Sequence, residues 1–350
     1  MSNIPICSLC LYCQKNIADT REHIFPSFLG GSMTIKACRK CNNSFGTQFE
    51  SKAANNYFSQ IHILIVDMGI KLKNITALWK NACTNNDGLR FSIKSNGKKN
   101  ETYLPSRRKL QDGCFVYPNR GDFDKMNSSL SNEKKLSELN LKQEQFKRLR
   151  TRYTLVMNDY VKRTALKMCL AYAATLPNLQ LSEIRDACDD LCDVSNKFLH
   201  RVKVPYFKYT SLESWKTRGK TSLSPESIQV LNHIIYVERN QSKICGIVQF
   251  FGIFQVYCNL GKNISKAEEA AILGELDPVT GKERFRNVMV QCFPEPTNED
   301  QITTSCKIQY ANECSQQLYD DIIKRGGNSK YTLELPKILY NYNSKLNWWD

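Results

Sequence analysis

The chain has 350 residues, of which 41% are hydrophobic and 24% are charged. This length suggests two or three domains, and the composition excludes a disordered chain, a collagen-like repeat and a membrane protein. The 49 Lys and Arg residues outnumber the 34 Asp and Glu residues, which leaves a net charge of +15. Such an excess favours polyanionic partners, with nucleic acid first and an anionic membrane surface second.

The cysteines and the chain start indicate a cytoplasmic protein. Met1 to Lys15 has neither the basic start nor the apolar core of a signal peptide. The longest apolar run, Ile244 to Cys258, is too short to cross a bilayer as a helix. Of 15 cysteines, five fall within the first 41 residues. This uneven placement favours one metal site and scattered core thiols over a disulfide scaffold.

The first part of the chain contains short elements. Residues 1–60 have clustered cysteines, a Gly-Gly turn and little periodicity, which is typical of a small domain held together by metal. Residues 61–70 form an apolar stretch that predicts a buried strand or a short helix. Residues 84–135 are polar and rich in turn-forming residues, and predict short strands joined by loops.

Helical patterns dominate residues 159–200. Apolar residues at helical spacing predict a helix over Asp159 to Thr175. Ser182 is the expected cap of a second helix. A last helix is expected near the end of the chain, from Glu313 to Arg325.

A strand-rich segment covers residues 229–260. Val230 to Val237 is rich in β-branched residues, and residues 240–242 read as a turn. The runs Ile244 to Phe250 and Phe254 to Leu260 follow. This pattern predicts an antiparallel meander and, with the helices, an α+β body.

Positive charge is concentrated between Leu89 and Lys167, where 19 Lys and Arg residues stand against 8 acidic residues. Phe146 and Tyr153 lie among the densest charges, as aromatic residues do on nucleic-acid surfaces. A solvated helix face explains the same pattern, and both interpretations stay open. The candidates for phosphate contact are Lys142, Lys147, Arg148, Arg150 and Arg152.

Two Cys-x-x-Cys pairs, Cys10/Cys13 and Cys38/Cys41, have 24 residues between them. Four thiolates suit a tetrahedral Zn²⁺, and closing a loop with metal lets a small segment fold without a large core. A redox dithiol needs a single pair and usually a βαβ context, so we predict structural zinc. Cys7 forms a third Cys-x-x-Cys with Cys10, and the sequence does not decide whether Cys7 joins the site.

The insert between the two pairs carries a second pattern. It contains Glu22-His23-Ile24, then Pro26 and Gly30-Gly31, and Asn42-Asn43 follows the second pair directly. Over residues 7–55 this order resembles the zinc-containing subset of the HNH endonuclease family. The resemblance implies a ββα-metal fold, with a strand, a Gly-Gly hairpin turn, a second strand, and a helix that returns to the histidine.

The resemblance also implies roles for individual residues. His23 would accept the proton of the attacking water, and Glu22 and Asn42 would offer oxygen ligands to one Mg²⁺ or Mn²⁺ that stabilises the leaving oxygen. The chain departs from the family in having Glu22 where Asp is commonest and no evident middle asparagine near Met33 or Thr34. Asn43 is an alternative to Asn42, and His23 as a fold-supporting histidine or a zinc ligand is an alternative to His23 as base.

We therefore predict an HNH nuclease domain at residues 1–60 and a substrate- or partner-recognition region at residues 61–350. The expected reaction is hydrolysis of DNA to 5′-phosphate and 3′-hydroxyl ends, with RNA as an open alternative. A non-catalytic zinc module that binds nucleic acid or protein is the second hypothesis. By analogy, the chain suits an effector of bacterial antiphage defence that a partner protein or guide-dependent complex activates. No membrane association is expected, and the oligomeric state stays open.

Overall fold

The computed structural model describes residues 9–84, 90–103, 108–109, 115–116, 150–151, 157–193, 195–205, 230–296 and 301–328. Within these ranges the protein mixes helices and sheets around a main hydrophobic core, to which the N-terminal segment, the central helix, the largest sheet and the C-terminal helix all contribute. In the same ranges no helix is long and apolar enough to span a membrane. The division at residue 60 stays a prediction.

The N-terminal segment is built on a β-hairpin. Strands β1 (Thr20–His23) and β2 (Thr34–Ala37) pair antiparallel in an unbroken register. Between them, Gly30 has a φ of 93°, a conformation that glycine adopts without steric cost. A Cβ on Gly31 would lie 1.9 Å from the carbonyl oxygen of Phe25. The turn therefore requires both glycines.

A run of helical turns follows the hairpin. It begins at Cys38, whose side chain accepts a hydrogen bond from the N–H of Cys41. Residues 59–66 are buried, so the short helix is the correct one of the two structures predicted for the apolar stretch. The run comprises α1 (Arg39–Phe45), a π-helical turn (Gly46–Glu50), α2 (Ser51–Ala53), a second π-helical turn (Ala54–Phe58) and α3 (Ser59–Asp67).

Two small antiparallel sheets come next. Their strands are β3 (Ala77–Thr84), β4 (Arg90–Ser95), β5 (Asn100–Tyr103), β6 (Arg108–Lys109), β7 (Phe115–Val116) and β8 (Arg150–Thr151). One sheet has the order β5-β4-β3-β8 and the other pairs β6 with β7. Asn100 joins the larger of them to α3, because its Nδ2 donates to the Ile63 carbonyl at 2.8 Å and to Asp67 Oδ1 at 2.6 Å.

The central helix, α4 (Asp159–Ala173), confirms the helix predicted there. It begins at Asn158, whose side chain accepts a hydrogen bond from a backbone N–H of the first turn, as N-cap residues do. From its third residue to its last the helix is buried. It packs so closely on the largest sheet that a Cβ on Gly246 would lie 2.5 Å from Cys169 Sγ.

Short helices lie between α4 and the largest sheet. They are a 3₁₀ turn (Leu181–Ile184), α5 (Arg185–Cys192) and a second 3₁₀ turn (Asn196–Arg201). The predicted cap at Ser182 is wrong. The backbone N–H of Gln180 donates to Glu183 Oε2 at 3.1 Å, so the turn starts there and Ser182 lies inside it.

The largest sheet has six strands in the order β14-β13-β10-β11-β12-β9, and all its pairs are antiparallel. The predicted meander is confirmed as β10, β11 and β12. The strands are β9 (Val202–Lys203), β10 (His233–Arg239), β11 (Lys243–Phe250), β12 (Phe254–Lys262), β13 (Ala270–Asp277) and β14 (Lys282–Val288).

The C-terminal helix, α6 (Thr304–Lys324), is longer than predicted and begins well before Glu313. Thr303 caps it by accepting a hydrogen bond from a backbone N–H of the first turn. At the other end, Arg325 Nη2 lies 2.6 Å from Asp277 Oδ2. This ion pair ties the helix end to the end of β13.

Candidate active site and zinc centre

Four cysteine side chains converge where the N-terminal turn meets the start of α1. Their Sγ atoms all lie within 4.8 Å of one another, and those of Cys13 and Cys38 are 3.7 Å apart. Sulfurs held tetrahedrally at about 2.3 Å from Zn²⁺ are about 3.8 Å apart, so the spacing fits structural zinc. Cys7 lies outside the described residues. The four cysteines of this cluster are Cys10, Cys13, Cys38 and Cys41.

The crowding of these sulfurs affects how readily each thiol loses its proton. The pKa of Cys10 is raised to about 12, first by the hydrogen bond with the neighbouring Cys41 thiol and second by burial. Thiols this close can all be ionised when a cation shares their centre. Asn16 supports the arrangement from outside, because its Nδ2 lies 3.6 Å from Cys13 Sγ and 3.7 Å from Cys38 Sγ. Such outer contacts orient metal ligands.

Glu22 points from β1 into the protein interior, where it is 3% exposed. Lys167, which is 0% exposed, donates hydrogen bonds from Nζ to Glu22 Oε1 and, at 2.6 Å, to Glu50 Oε1. Burial raises the pKa of the Glu22 carboxyl, and the Lys167 ammonium offsets part of this rise. Two carboxylates thus share one ammonium. We call Glu22, Glu50 and Lys167 the buried triad.

His23 lies on the opposite face of β1 from Glu22, because neighbouring side chains of a strand alternate in direction. The His23 side chain is partly exposed. It makes no side-chain hydrogen bond or ion pair with any residue in the described part of the chain. By contrast, His62 and His233 are buried, where burial lowers the pKa of each imidazole. Of these three histidines, His23 is therefore the one whose side chain reaches the surface.

Asn42 packs against the hairpin, whereas Asn43 is exposed. The Asn42 Nδ2 donates to the Arg21 carbonyl at 3.0 Å and to Thr20 Oγ1 at 3.3 Å. These bonds engage the amide nitrogen and leave Asn42 Oδ1 for water or a ligand. Of the two asparagines, Asn42 is thus the one beside the strand that carries His23.

The predicted Mg²⁺ ligands, Glu22 and Asn42, do not form a common oxygen site. The Oε2 atom of Glu22 is buried and has no hydrogen-bond partner among the described residues, but it belongs to a carboxylate that contacts the Lys167 ammonium. An ammonium at that place repels a divalent cation. This arrangement therefore does not fit Glu22 as a metal ligand. Asn42 alone offers an oxygen at the surface.

The hairpin tip is held from the largest sheet. Glu283 Oε2, in β14, accepts hydrogen bonds from the Ser32 N–H at 2.7 Å, the Ser32 hydroxyl at 3.0 Å and the Met33 N–H at 2.8 Å. Met33 lies where the family's middle asparagine was expected to support the histidine loop. Here a carboxylate from a distant strand holds the backbone at that position.

The sequence interpretation missed the inward contacts of the hairpin. Lys167 and Glu50 carry no motif, and the sole signal is a lysine within the mostly apolar run 164–173. A lysine at such a position needs an internal partner. Glu283 has no comparable signal, because it lies in a strand of alternating exposed and half-buried residues.

The predicted phosphate-binding cluster is mostly outside the described residues. Arg150 lies in β8, and nothing is described of its side chain. In the same basic stretch, Lys167 and Arg163 are buried, and Arg163 donates to backbone carbonyls of residues 191, 193 and 195. Part of the positive charge therefore has an internal role. Outside the described residues lie Lys142, Lys147, Arg148 and Arg152.

Comparison with known proteins assigns the N-terminal segment. Residues 10–58 match the family model of the HNH endonuclease. No curated protein and no solved structure matches the chain. The chain thus has an N-terminal HNH region, with a four-cysteine cluster suited to structural zinc. This match implies nuclease activity and a nucleic acid substrate in general terms.

Proposed function

We propose that this protein is an endonuclease that hydrolyses phosphodiester bonds in DNA, with His23 as the general base. The proposal depends above all on the orientation of β1, which turns His23 outward within the segment that matches HNH endonucleases. A partly exposed imidazole without an internal partner is free to accept a proton from a water molecule at the surface.

In this proposal His23 takes a proton from a water molecule as the water oxygen attacks phosphorus. The bond between phosphorus and the 3′-oxygen breaks, and the leaving oxygen takes a proton from solvent. The products have 5′-phosphate and 3′-hydroxyl ends. Asn42 supports the reaction by bracing β1 through its bonds to Arg21 and Thr20.

A requirement for Mg²⁺ or Mn²⁺ is also part of the proposal, since the family resemblance implies it. Of the two oxygen ligands predicted from the sequence, Asn42 Oδ1 is the one available to such an ion, and Mg²⁺ usually keeps several waters and binds substrate phosphate directly. The fit of Glu22 is poor, so we assign it no part in binding this ion. Zinc has a structural role at the four cysteines.

The DNA path is proposed to follow the basic stretch 89–167, which would release counterions on binding. Lys142, Lys147, Arg148, Arg150 and Arg152 stay the candidate phosphate contacts. RNA is the alternative substrate. The excess of Lys and Arg over the chain supports either polyanion.

The proposal also includes the setting of the activity. The described cysteines form no disulfide with one another, which suits a reducing compartment, the cytoplasm. The large region after the HNH segment suits an effector nuclease of antiphage defence that a partner protein or guide-dependent complex switches on. This part of the proposal is an analogy.

Plasmid nicking tests the proposal. The wild type should nick supercoiled DNA with Mg²⁺ or Mn²⁺, and His23→Ala should lose about 10²-fold or more of that activity. His200→Ala is the matched control, because His200 is an exposed histidine beside Asp190. Equal rates for wild type and His23→Ala would refute His23 as the base.

One observation favours the second candidate, a non-catalytic zinc module that binds nucleic acid or protein. Glu22, expected at the metal, is instead held inside by Lys167. Binding of DNA by wild type and His23→Ala alike, with no nicking by either in Mg²⁺ or Mn²⁺, would support this candidate.

A further inference from the structure

The buried triad lies directly behind His23. Glu22 precedes His23 in β1 and contacts Lys167 near the middle of α4. Glu50, at the end of the π-helical turn after α1, contacts the same ammonium. One lysine of the central helix therefore holds both the strand that carries His23 and the helical segment that follows the zinc site.

We propose that Lys167 is a positioning residue for His23, and that Glu22 is the internal anchor through which it acts rather than a metal ligand. The inference deepens the proposed function and relies on it for the role of His23. It concerns which residues set the direction of the imidazole, and it gives the buried triad a task in the reaction.

The geometry of β1 is the first argument. Its pairing with β2 is regular from Thr20 opposite Ala37 to His23 opposite Thr34, so consecutive side chains must point to opposite faces. Turning Glu22 outward to reach a metal would turn His23 inward. One strand of this register cannot present both side chains at the same surface.

The second argument is that the residues that hold β1 in place are themselves rigidly placed. Lys167 lies in a helix that is buried on all sides from its third residue to its last. Glu283 fixes the hairpin tip, and Asn42 bonds to the Arg21 carbonyl. Of these three side-chain contacts, that of Lys167 is closest to His23 along β1, since Glu22 is the immediate neighbour of His23. Misplacing a reacting group by about 1 Å costs up to about 10²-fold in rate.

Three variants of the full chain separate anchor from ligand. In Glu22→Gln the side-chain oxygen still accepts the hydrogen bond from Lys167, but the charge that a metal ligand needs is gone. Glu22→Met has similar length and loses the hydrogen bond as well. Glu101→Gln is the control, because Glu101 pairs with Lys99 on the exposed surface.

The readouts are the rate constant kcat, the KM for plasmid, the Mg²⁺ concentration at half-maximal rate, and the pH profile of kcat. We expect Glu22→Gln to stay within about threefold of wild type in kcat. Glu22→Met should lose about tenfold or more in kcat. In both variants KM, the Mg²⁺ midpoint and the pH profile should stay at their wild-type values, as they should in Glu101→Gln.

A rise of about tenfold or more in the Mg²⁺ midpoint of Glu22→Gln would overturn the inference, because that is the mark of a lost metal ligand. Loss of nicking in folded Glu22→Gln at every Mg²⁺ concentration would overturn it too. Retention of wild-type kcat by folded Glu22→Met would show that the anchor does not position His23.

Amide hydrogen exchange keeps the test independent of activity. Lys167→Met and Glu22→Met should both speed exchange in β1 and β2, whereas Glu22→Gln and Glu101→Gln should not. Unchanged exchange in the first two variants overturns the inference. A wild type without activity, combined with the expected exchange pattern, would instead refute the proposed nuclease function and leave the anchor established as a fold element.

Discussion

Replacement of Lys167 by methionine tests the energetics of the buried triad most directly. The change removes the ammonium that Glu22 and Glu50 share and keeps a flexible apolar side chain of similar length. Removing one partner of a buried ion pair costs about 3–5 kcal/mol. A glutamate that has lost its counter-ion can instead become neutral by taking up a proton, and the cost of this step is similar. With the ordinary glutamate pKa of 4.5, protonation at pH 7 needs about 3.4 kcal/mol. At pH 5 the same step needs about 0.7 kcal/mol.

We therefore expect the free energy of unfolding of Lys167→Met to fall by about 3–5 kcal/mol at pH 7 and by about 1 kcal/mol at pH 5. Urea unfolding followed by tryptophan fluorescence at both pH values measures these differences. Lys197→Met is the control, because Lys197 forms an exposed i,i+4 pair with Asp193 at 3.5 Å. Its loss should cost less than about 0.5 kcal/mol at either pH.

A second substitution set checks the cause. Changing Glu22 and Glu50 to glutamine in the Lys167→Met background removes the uncompensated charges, and most of the lost stability should return. A destabilisation of equal size at pH 5 and pH 7 would refute the reasoning, because carboxylates that lack a counter-ion must become cheaper to bury as they protonate.

Other predictions concern pH, zinc and salt. Burial raises the pKa of Glu22 above its ordinary 4.5, so the folded state binds the Glu22 proton more tightly than the unfolded state does. The stability that this proton contributes is present at low pH. It is lost as pH rises from about 4.5 through the raised pKa. Glu22→Gln should lack that part of the pH slope in urea unfolding. Cys38→Ser should lose zinc by elemental analysis, whereas Cys306→Ser should retain about one zinc per chain. Charge reversal at Lys147 and Arg148 should weaken DNA binding and make the plot of log affinity against log salt shallower by about two; an unchanged slope would remove these residues from the DNA path.

Local patterns predicted much of the fold. The helix at Asp159–Ala173 and the meander from β10 to β12 follow from side-chain periodicity and turn residues, which act over a few positions of the chain. The start of α6 (Thr304–Lys324) was missed because the first turns of this helix lack a clear apolar stripe. The Ser182 cap was misplaced because Gln180 caps the 3₁₀ turn, and Ser182 lies inside that turn.

The candidate site, too, has features that local patterns predicted and features that they did not. Cys-x-x-Cys spacing predicted the four thiols that cluster, because two such pairs supply the four sulfurs of a tetrahedral metal site, but it left the part of Cys7 open. The motif does not predict the direction in which the Glu22 side chain points. A Glu-His pair in a strand must point to opposite faces, but which face is inside depends on what packs there.

The amino-acid sequence by itself predicted the four cysteines that cluster, the HNH segment and the location of its histidine. Those properties depend on residue types at short separations. Only the tertiary structure decided that Glu22 meets Lys167 and Glu50, and that the hairpin tip meets Glu283. Buried charges must find partners wherever the packed chain brings them, and these partners lie too far apart in sequence for any local pattern to connect them.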